Sequence, residues 1–367
     1  MNKKIKKVIF IFLIIFLLIL LKNTRVNATT TVNRYNVKEN IIAELNEEGT
    51  LNISGTGEIP DYADETAIPW YNDRSRINKV IIGSGITVIG NNSFNNCNNI
   101  RSIILNEGLL CIKPKAFCNN TELTEVTIPK SVTELKVSSF FLNENLKKVI
   151  ILNNSIAIGG LNFSGSPKVV LCCVEGSSAD SYAQTKNMNR ITFNTLGWTN
   201  KNVIVKFNGI QDGNFSSGGI YSKNYEVAYS DINKVTETIN IPINWIDKTG
   251  PQITVSLPNT FSKSVLCTVN AIDNQSGLPK EAYSLDGTNW TSMNQIEIKQ
   301  NGKYVIYARD NVGNVSSTNI IVTQIDNTPP EISFEESGKN ENYLKSITYI
   351  IKATDEQSGL ATEPYSW

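Results

Sequence analysis

The sequence contains no histidine. That absence removes Ser-His-Asp and Cys-His activation of a nucleophile, and with them every zinc site built on imidazole. Carboxylate-pair chemistry stays open in principle, but the Asp and Glu residues are scattered and form no distinctive local frame. Net charge is missing too, because 34 basic residues balance 34 acidic ones. Nothing in that balance points to nucleic acid or to an oppositely charged surface as partner. After the N-terminus no long apolar run appears, and a membrane span needs about 20 residues. No catalytic residue, cofactor-binding residue or metal ligand can be nominated, and no enzyme activity is expected.

What is present begins with the N-terminus. Lys3, Lys4, Lys6 and Lys7 precede an apolar run from Val8 to Leu21, and Val26-Asn27-Ala28 forms a small-residue cleavage pattern ahead of Thr29. This is the layout of a secretory signal peptide over residues 1–28. The alternative is an uncleaved anchor, but the run of 14 residues is short for a span. The rest of the chain is therefore predicted to be extracellular or at the cell surface, with the membrane touched only through this segment.

An internal repeat dominates the middle of the chain. Ile77, Ile100, Leu123, Leu146 and Val169 are spaced by 23 residues, and so are Phe94, Phe117, Phe140 and Phe163. Three more apolar columns keep the same register, starting at Val80, Ile82 and Ile89. In Val126-Thr127-Ile128 two apolar residues flank a polar one, so the segment is a short strand with Val126 and Ile128 inward, ended by Pro129. One turn is too small to bury its own apolar face, and stacked turns create a continuous core. The Phe column is predicted to be core. Residues 29–76 are expected to form an N-terminal β cap, in which Ile42, Ala43, Leu45 and then Leu51, Ile53 alternate as in a hairpin with Glu48-Gly49 at the turn. Residues 77–168 are four repeats. Residues 169–195 are expected to form the C-terminal cap, with a helix after Ser177.

The segment 123–133, LTEVTIPKSVT, together with Ile89-Gly90 and Phe94-Asn95-Asn96-Cys97, resembles the BspA-type leucine-rich repeat. Gly49–Gly57, Pro69-Trp70 and Gly176–Ala183 are similar to its flanks. The resemblance implies a leucine-rich-repeat solenoid on a surface-exposed bacterial protein, some relatives being adhesins for host matrix proteins or other cells. The fourth turn departs from the pattern at Ser155 and Asn162 and is expected to be looser.

A second repeat follows residue 196. Ile246-Asp247-Lys248-Thr249-Gly250-Pro251 recurs as Ile325-Asp326-Asn327-Thr328-Pro329-Pro330, and Asp273–Leu278 recurs as Asp355–Leu360. Short alternating runs between turn signals, such as Val265, Cys267 and Val269, are a β-sandwich pattern. Tyr304, Ala308, Asp310, Gly313 and Asn314 resemble the closing motif of bacterial Ig-like repeats. The predicted fold class is thus mainly β, a solenoid followed by Ig-like sandwich modules: a degenerate segment at 196–246, a domain at 247–325, and a repeat at 326–367 that stops before its sibling does and is expected to be truncated and poorly packed.

The six cysteines fit no metal spacing and are expected to be mostly free and buried. Asp273, Asp310, Asp326 and Asp355 sit at sandwich turns where weak calcium binding is conceivable, but turn chemistry alone accounts for them, so no metal is expected. Strand alternation turns Lys79, Ser102, Glu125 and Lys148 outward, beside Ile81, Ile104, Thr127 and Ile150. These eight residues are the candidate ligand-contact face, for an extracellular protein or cell-surface ligand. The competing readings are a structural wall or matrix spacer without a ligand and the non-catalytic part of a larger surface enzyme.

Overall fold

The structure is a computed structural model that describes residues 31–215, 221–228, 236–337 and 348–365, so the signal peptide expected over residues 1–28 lies outside the described residues. The chain divides into two compact units. Of the described residues, the first holds those up to Leu196, Val203–Asn214 and those between Ser222 and Pro242; the second holds Gly197–Asn202, Phe215, Tyr221 and those from Ile243 on. Among the described residues no helix is long and apolar enough to cross a membrane.

The first unit is a β-solenoid. Its front strands are Lys79–Ile82, Ser102–Leu105, Glu125–Ile128 and Lys148–Ile151. Their inward residues Val80, Ile103, Val126 and Val149 are buried, as the alternation requires. A second parallel ladder forms behind them, where Ile89 pairs with Ile112, and Leu135 with Ile112 and Ile158. Between the ladders runs the aromatic column. Trp70, Phe94, Phe117, Phe140 and Phe163 stack with centroids 5.3, 5.0, 5.3 and 5.9 Å apart. Edge-on tyrosines close the stack, Tyr35 and Tyr62 on Trp70 and Tyr182 on Phe163.

Buried asparagines tie successive turns together. Asn143 Nδ2 donates to Phe117 O at 3.0 Å, and Asn143 Oδ1 accepts from Asn120 N at 2.8 Å. Asn120 repeats the first contact on Phe94 O. Cys97 occupies the same column one turn earlier and is fully buried. All six cysteines are free thiols, and only Cys111 is not buried.

The fourth turn is closed differently rather than left loose. Ser155 is exposed, but Ile156 beside it is 1% exposed and fills the core. Asn162 Oδ1 accepts from Ser139 Oγ at 2.7 Å and its Nδ2 donates to Lys136 O at 2.7 Å, so the buried amide is satisfied. At the N-terminal cap, the hairpin Ile41–Asn46 and Thr50–Gly55 turns at Gly49, whose φ of +82° suits glycine. The inward residues of its first strand are Ile41, Ala43 and Leu45, and Ile42 is half-buried. Strand Thr31–Lys38 pairs with it, an element that the sequence reading did not mark. At the other end, helix Ser178–Thr185 is capped by Ser177, which accepts from Asp180 N.

In the second unit, residues 252–322 form two three-stranded sheets. Gln252–Ser256, Val265–Ile272 and Gln295–Ile298 make one; Tyr283–Ser284, Gly302–Arg309 and Val315–Val322 make the other. Val265, Cys267, Val269 and Ile298 from the first sheet share one core with Ile306, Ile320 and Val322 from the second. Strands Glu331–Ser337 and Thr348–Thr354 form an antiparallel pair whose Ile332, Phe334, Tyr349 and Ile350 are exposed. Residues 196–246 are shared between the units. Val203–Phe207 pairs with Asn189–Phe193 in the first, and Thr199 bridges Ile246 in the second.

Candidate binding face of the solenoid

Because successive side chains of a strand point to opposite faces, burial of Val80, Ile103, Val126 and Val149 sends their neighbours outward. Lys79 pairs with Ser102 and Ile81 with Ile104 in one stretch of the front ladder. Glu125 pairs with Lys148 and Thr127 with Ile150 in another. The structure thus brings the eight residues together as two quartets. Between Ser102–Leu105 and Glu125–Ile128 the hydrogen-bonded ladder is interrupted. Pro129 contributes to this break. It has no N–H to donate, whereas one turn later Leu152 N donates to Ile128 O at 3.1 Å.

The surface chemistry has two columns. The polar column carries a Lys148–Glu125 ion pair at 2.5 Å, with the Glu125 side chain 61% exposed. The Lys148 side chain is 18% exposed, so solvent screens the pair mainly from the glutamate side and keeps its contribution to stability modest. The apolar column is Ile81, Ile104 and Ile150 with Thr127 between; Ile104 is 38% exposed and the other two isoleucines are half-buried.

Both ends of the face are marked. Toward the N-terminus, Asn52 pairs with Ile81 and Glu44 with Asn52, so the apolar column gives way to polar side chains. Toward the C-terminus, Val170 pairs with Lys148 and Cys172 with Ile150, yet these are 0% and 1% exposed. Burial also pushes the Cys172 thiol far up. The outward face is therefore covered from the fifth strand on. Sequence reasoning missed this boundary, although the signal was available: Val170–Val174 is an unbroken apolar run, the mark of a strand buried on both faces.

Among the described residues, the acidic and thiol side chains that converge as a possible metal site are Asp247, Asp273 and Asp310, in the second unit. The turn aspartates of the sequence reading are thus sorted. Asp273 and Asp310 meet Asp247, which that reading had not included, while Asp326 and Asp355 both hold Ser358 N.

The family model described as BspA type Leucine rich repeat region matches residues 70–177 in 6 copies. No curated protein matches the chain. Among solved structures, a leucine-rich repeat protein from Eubacterium ventriosum is 27% identical over 40% of this chain and 45% of its own, with a TM-score of 0.33. The chain thus spans less than half of that protein's length. The T. pallidum leucine rich repeat protein is 19% identical over 38% of this chain and 71% of its own, with a TM-score of 0.28. A leucine rich cell surface protein from Faecalibacterium prausnitzii is 17% identical over 39% and 55%, with a TM-score of 0.22. The 23-residue columns, the two ladders and the family match agree on one assignment: residues 70–177 of this chain are a BspA-type leucine-rich repeat region.

Proposed function

We propose that the chain is an exported bacterial surface protein that acts by binding, without catalysis of its own. The open stretch of the front ladder contacts an extracellular protein or a cell-surface ligand. The observation that carries this reading is the apolar column Ile81, Ile104 and Ile150 on the outer face. Solvent alone favours polar residues there, and contiguous exposed apolar groups mark interaction sites. The N-terminal basic and apolar segment supports export, and repeat solenoids present extended surfaces of this kind to their partners. In this reading the sandwich unit is a spacer, which its recurring junction favours. Thr199 bridges Ile246 and Ser262 bridges Ile325, both in parallel.

The test is retention of the secreted chain on arrays of purified extracellular matrix proteins and on intact host and bacterial cells. Saturable retention on at least one surface, competed by free solenoid-bearing chain, supports the proposal. Absence of saturable retention throughout favours the spacer role for the whole protein.

A further inference from the structure

One end of the sandwich gathers three carboxylates from three separate segments. Asp247 precedes the first strand, Asp273 directly follows Val265–Ile272, and Asp310 directly follows Gly302–Arg309. One carboxylate oxygen from each lies within 4.8 Å of the other two. A calcium ion binds oxygen at about 2.3–2.6 Å, so ligands on opposite sides of it are roughly 5 Å apart. A single ion therefore reaches all three. Asp247 and Asp310 are 0% and 2% exposed, and like charges so placed repel strongly. The ion pairs among the described residues of this unit are Lys299–Glu297 and Lys352–Glu335, so no lysine or arginine there neutralises the cluster.

Amide groups offset part of the charge. Asp247 accepts from Thr249 N and Ser276 N, Asp273 from Gln275 N and Gly277 N, and Asp310 from Val312 N and Asn314 N. Asn314 Nδ2 also donates to Asp310 Oδ2 at 2.7 Å. These bonds belong to the turns and do not themselves call for an ion.

Ser276 does. It is 8% exposed, and its hydroxyl completes no hydrogen bond of good geometry. A buried hydroxyl that completes no well-formed hydrogen bond is costly, and this one lies at the Asp247 carboxylate, to which Ser276 N donates at 3.1 Å.

We propose that Asp247, Asp273, Asp310 and Ser276 Oγ form a calcium site. All four donors are hard oxygens, which select calcium or magnesium over softer metals. Donors carried on three turns suit the adaptable calcium shell better than the strict octahedron of magnesium. The ion fastens the Ile246–Asp247 segment to the loops at 273–277 and 310–314. That segment is the one paired with Thr199, through Thr199 N to Trp245 O at 2.9 Å and Asp247 N to Thr199 O at 2.8 Å. Calcium outside the cell would thereby stiffen the junction ahead of the sandwich.

The experiment is calorimetric titration of CaCl2, with MgCl2 in parallel, into the full secreted chain after dialysis against EDTA, with thermal melts in both states. The expected result is binding with a Kd of about 10⁻⁴–10⁻³ M, the range of extracellular modules, and a calcium-dependent rise in melting temperature. Asp273→Asn keeps the side-chain oxygen that Gln275 and Gly277 amides need, so it folds, and it weakens binding by about tenfold or more. Ser276→Ala also weakens binding, while Asp355→Asn, outside the cluster, leaves it unchanged. Absence of calcium heat and of any melting shift in the wild-type chain would overturn the proposal whatever the variants do. Equal affinity in wild type and Asp273→Asn would overturn it as well.

Discussion

Positions 92, 115, 138 and 161 share a left-handed backbone, with φ of 57° at Asn92, 58° at Lys115, 59° at Ser138 and 61° at Leu161. A second such column runs through Asn96, Asn119, Leu142 and Gly165. Asparagine and glycine enter this region at low cost, and other L-residues are strained there. Leu161 is 55% exposed, so it has little burial to lose. Leu161→Asn, the residue that Asn92 already supplies, is expected to raise stability by about 0.5–1 kcal/mol; urea midpoints check this. The first column was not legible in the sequence because Asn, Lys, Ser and Leu have no shared chemistry. A second residue-scale test concerns Tyr35, whose hydroxyl donates to Asp73 Oδ2 at 2.7 Å. That bond is the main reason the Asp73 acid is held down, while burial and Asp73 push the Tyr35 phenol up to about 12. A lowered carboxylate stabilises above its unfolded pKa and loses that as pH falls; a raised phenol stabilises below its unfolded pKa and loses that as pH rises. The stability difference between wild type and Tyr35→Phe should therefore be flat from roughly pH 5 to 9 and shrink toward both extremes. A difference that does not vary with pH would mean that the hydroxyl bond is not formed.

Turns are joined by columns, and the aromatic column is the largest. Phe117 is fully buried with stacked rings on both sides, at 5.0 and 5.3 Å. Phe117→Ala opens a cavity between turns that the rear ladder joins on both sides and the front ladder on one, so the site has little freedom to collapse. The expected cost is about 3–5 kcal/mol, and thermal or denaturant unfolding measures it. A loss below about 1 kcal/mol is what a surface position gives and would contradict the stack. Asn143→Ala should cost about 1–3 kcal/mol, since it leaves Phe117 O and Asn120 N buried without their partner. The Phe columns were legible because a strict 23-residue spacing repeats one chemistry. Trp70 was not, because it stands 24 residues before Phe94 and differs in type. The rear ladder was visible only as a return path, since strands as short as Cys111–Ile112 carry no alternation to recognise.

At the scale of the molecule, protection should follow the cores. Hydrogen exchange is predicted to be slow across the solenoid turns at 77–168 and fast in Glu331–Ser337 and Thr348–Thr354, whose apolar side chains face solvent. Equal protection would show that the strand pair is packed. Strands in residues 252–322 were foreseen from alternation and turn signals, but their acidic cluster was not assembled, because Asp247, Asp273 and Asp310 are far apart in sequence and meet only through the sheet topology. The same limit applies to the binding face. Alternation gives the outward side of each strand, and the structure adds where that side is open, where the ladder breaks and where Val170 and Cys172 close it.

The most direct test of the proposed contact surface is Ile104→Lys combined with Ile150→Lys, read out twice on the same sample. Both side chains point away from the core, at register positions paired with Ile81 and Thr127. The account predicts a melting temperature close to that of the wild-type chain and a clear loss of retention on whichever ligand or cell the wild type holds. Unchanged retention with an unchanged melting temperature would contradict the assignment of this face, and unfolding of the variant would contradict the outward placement of the two isoleucines.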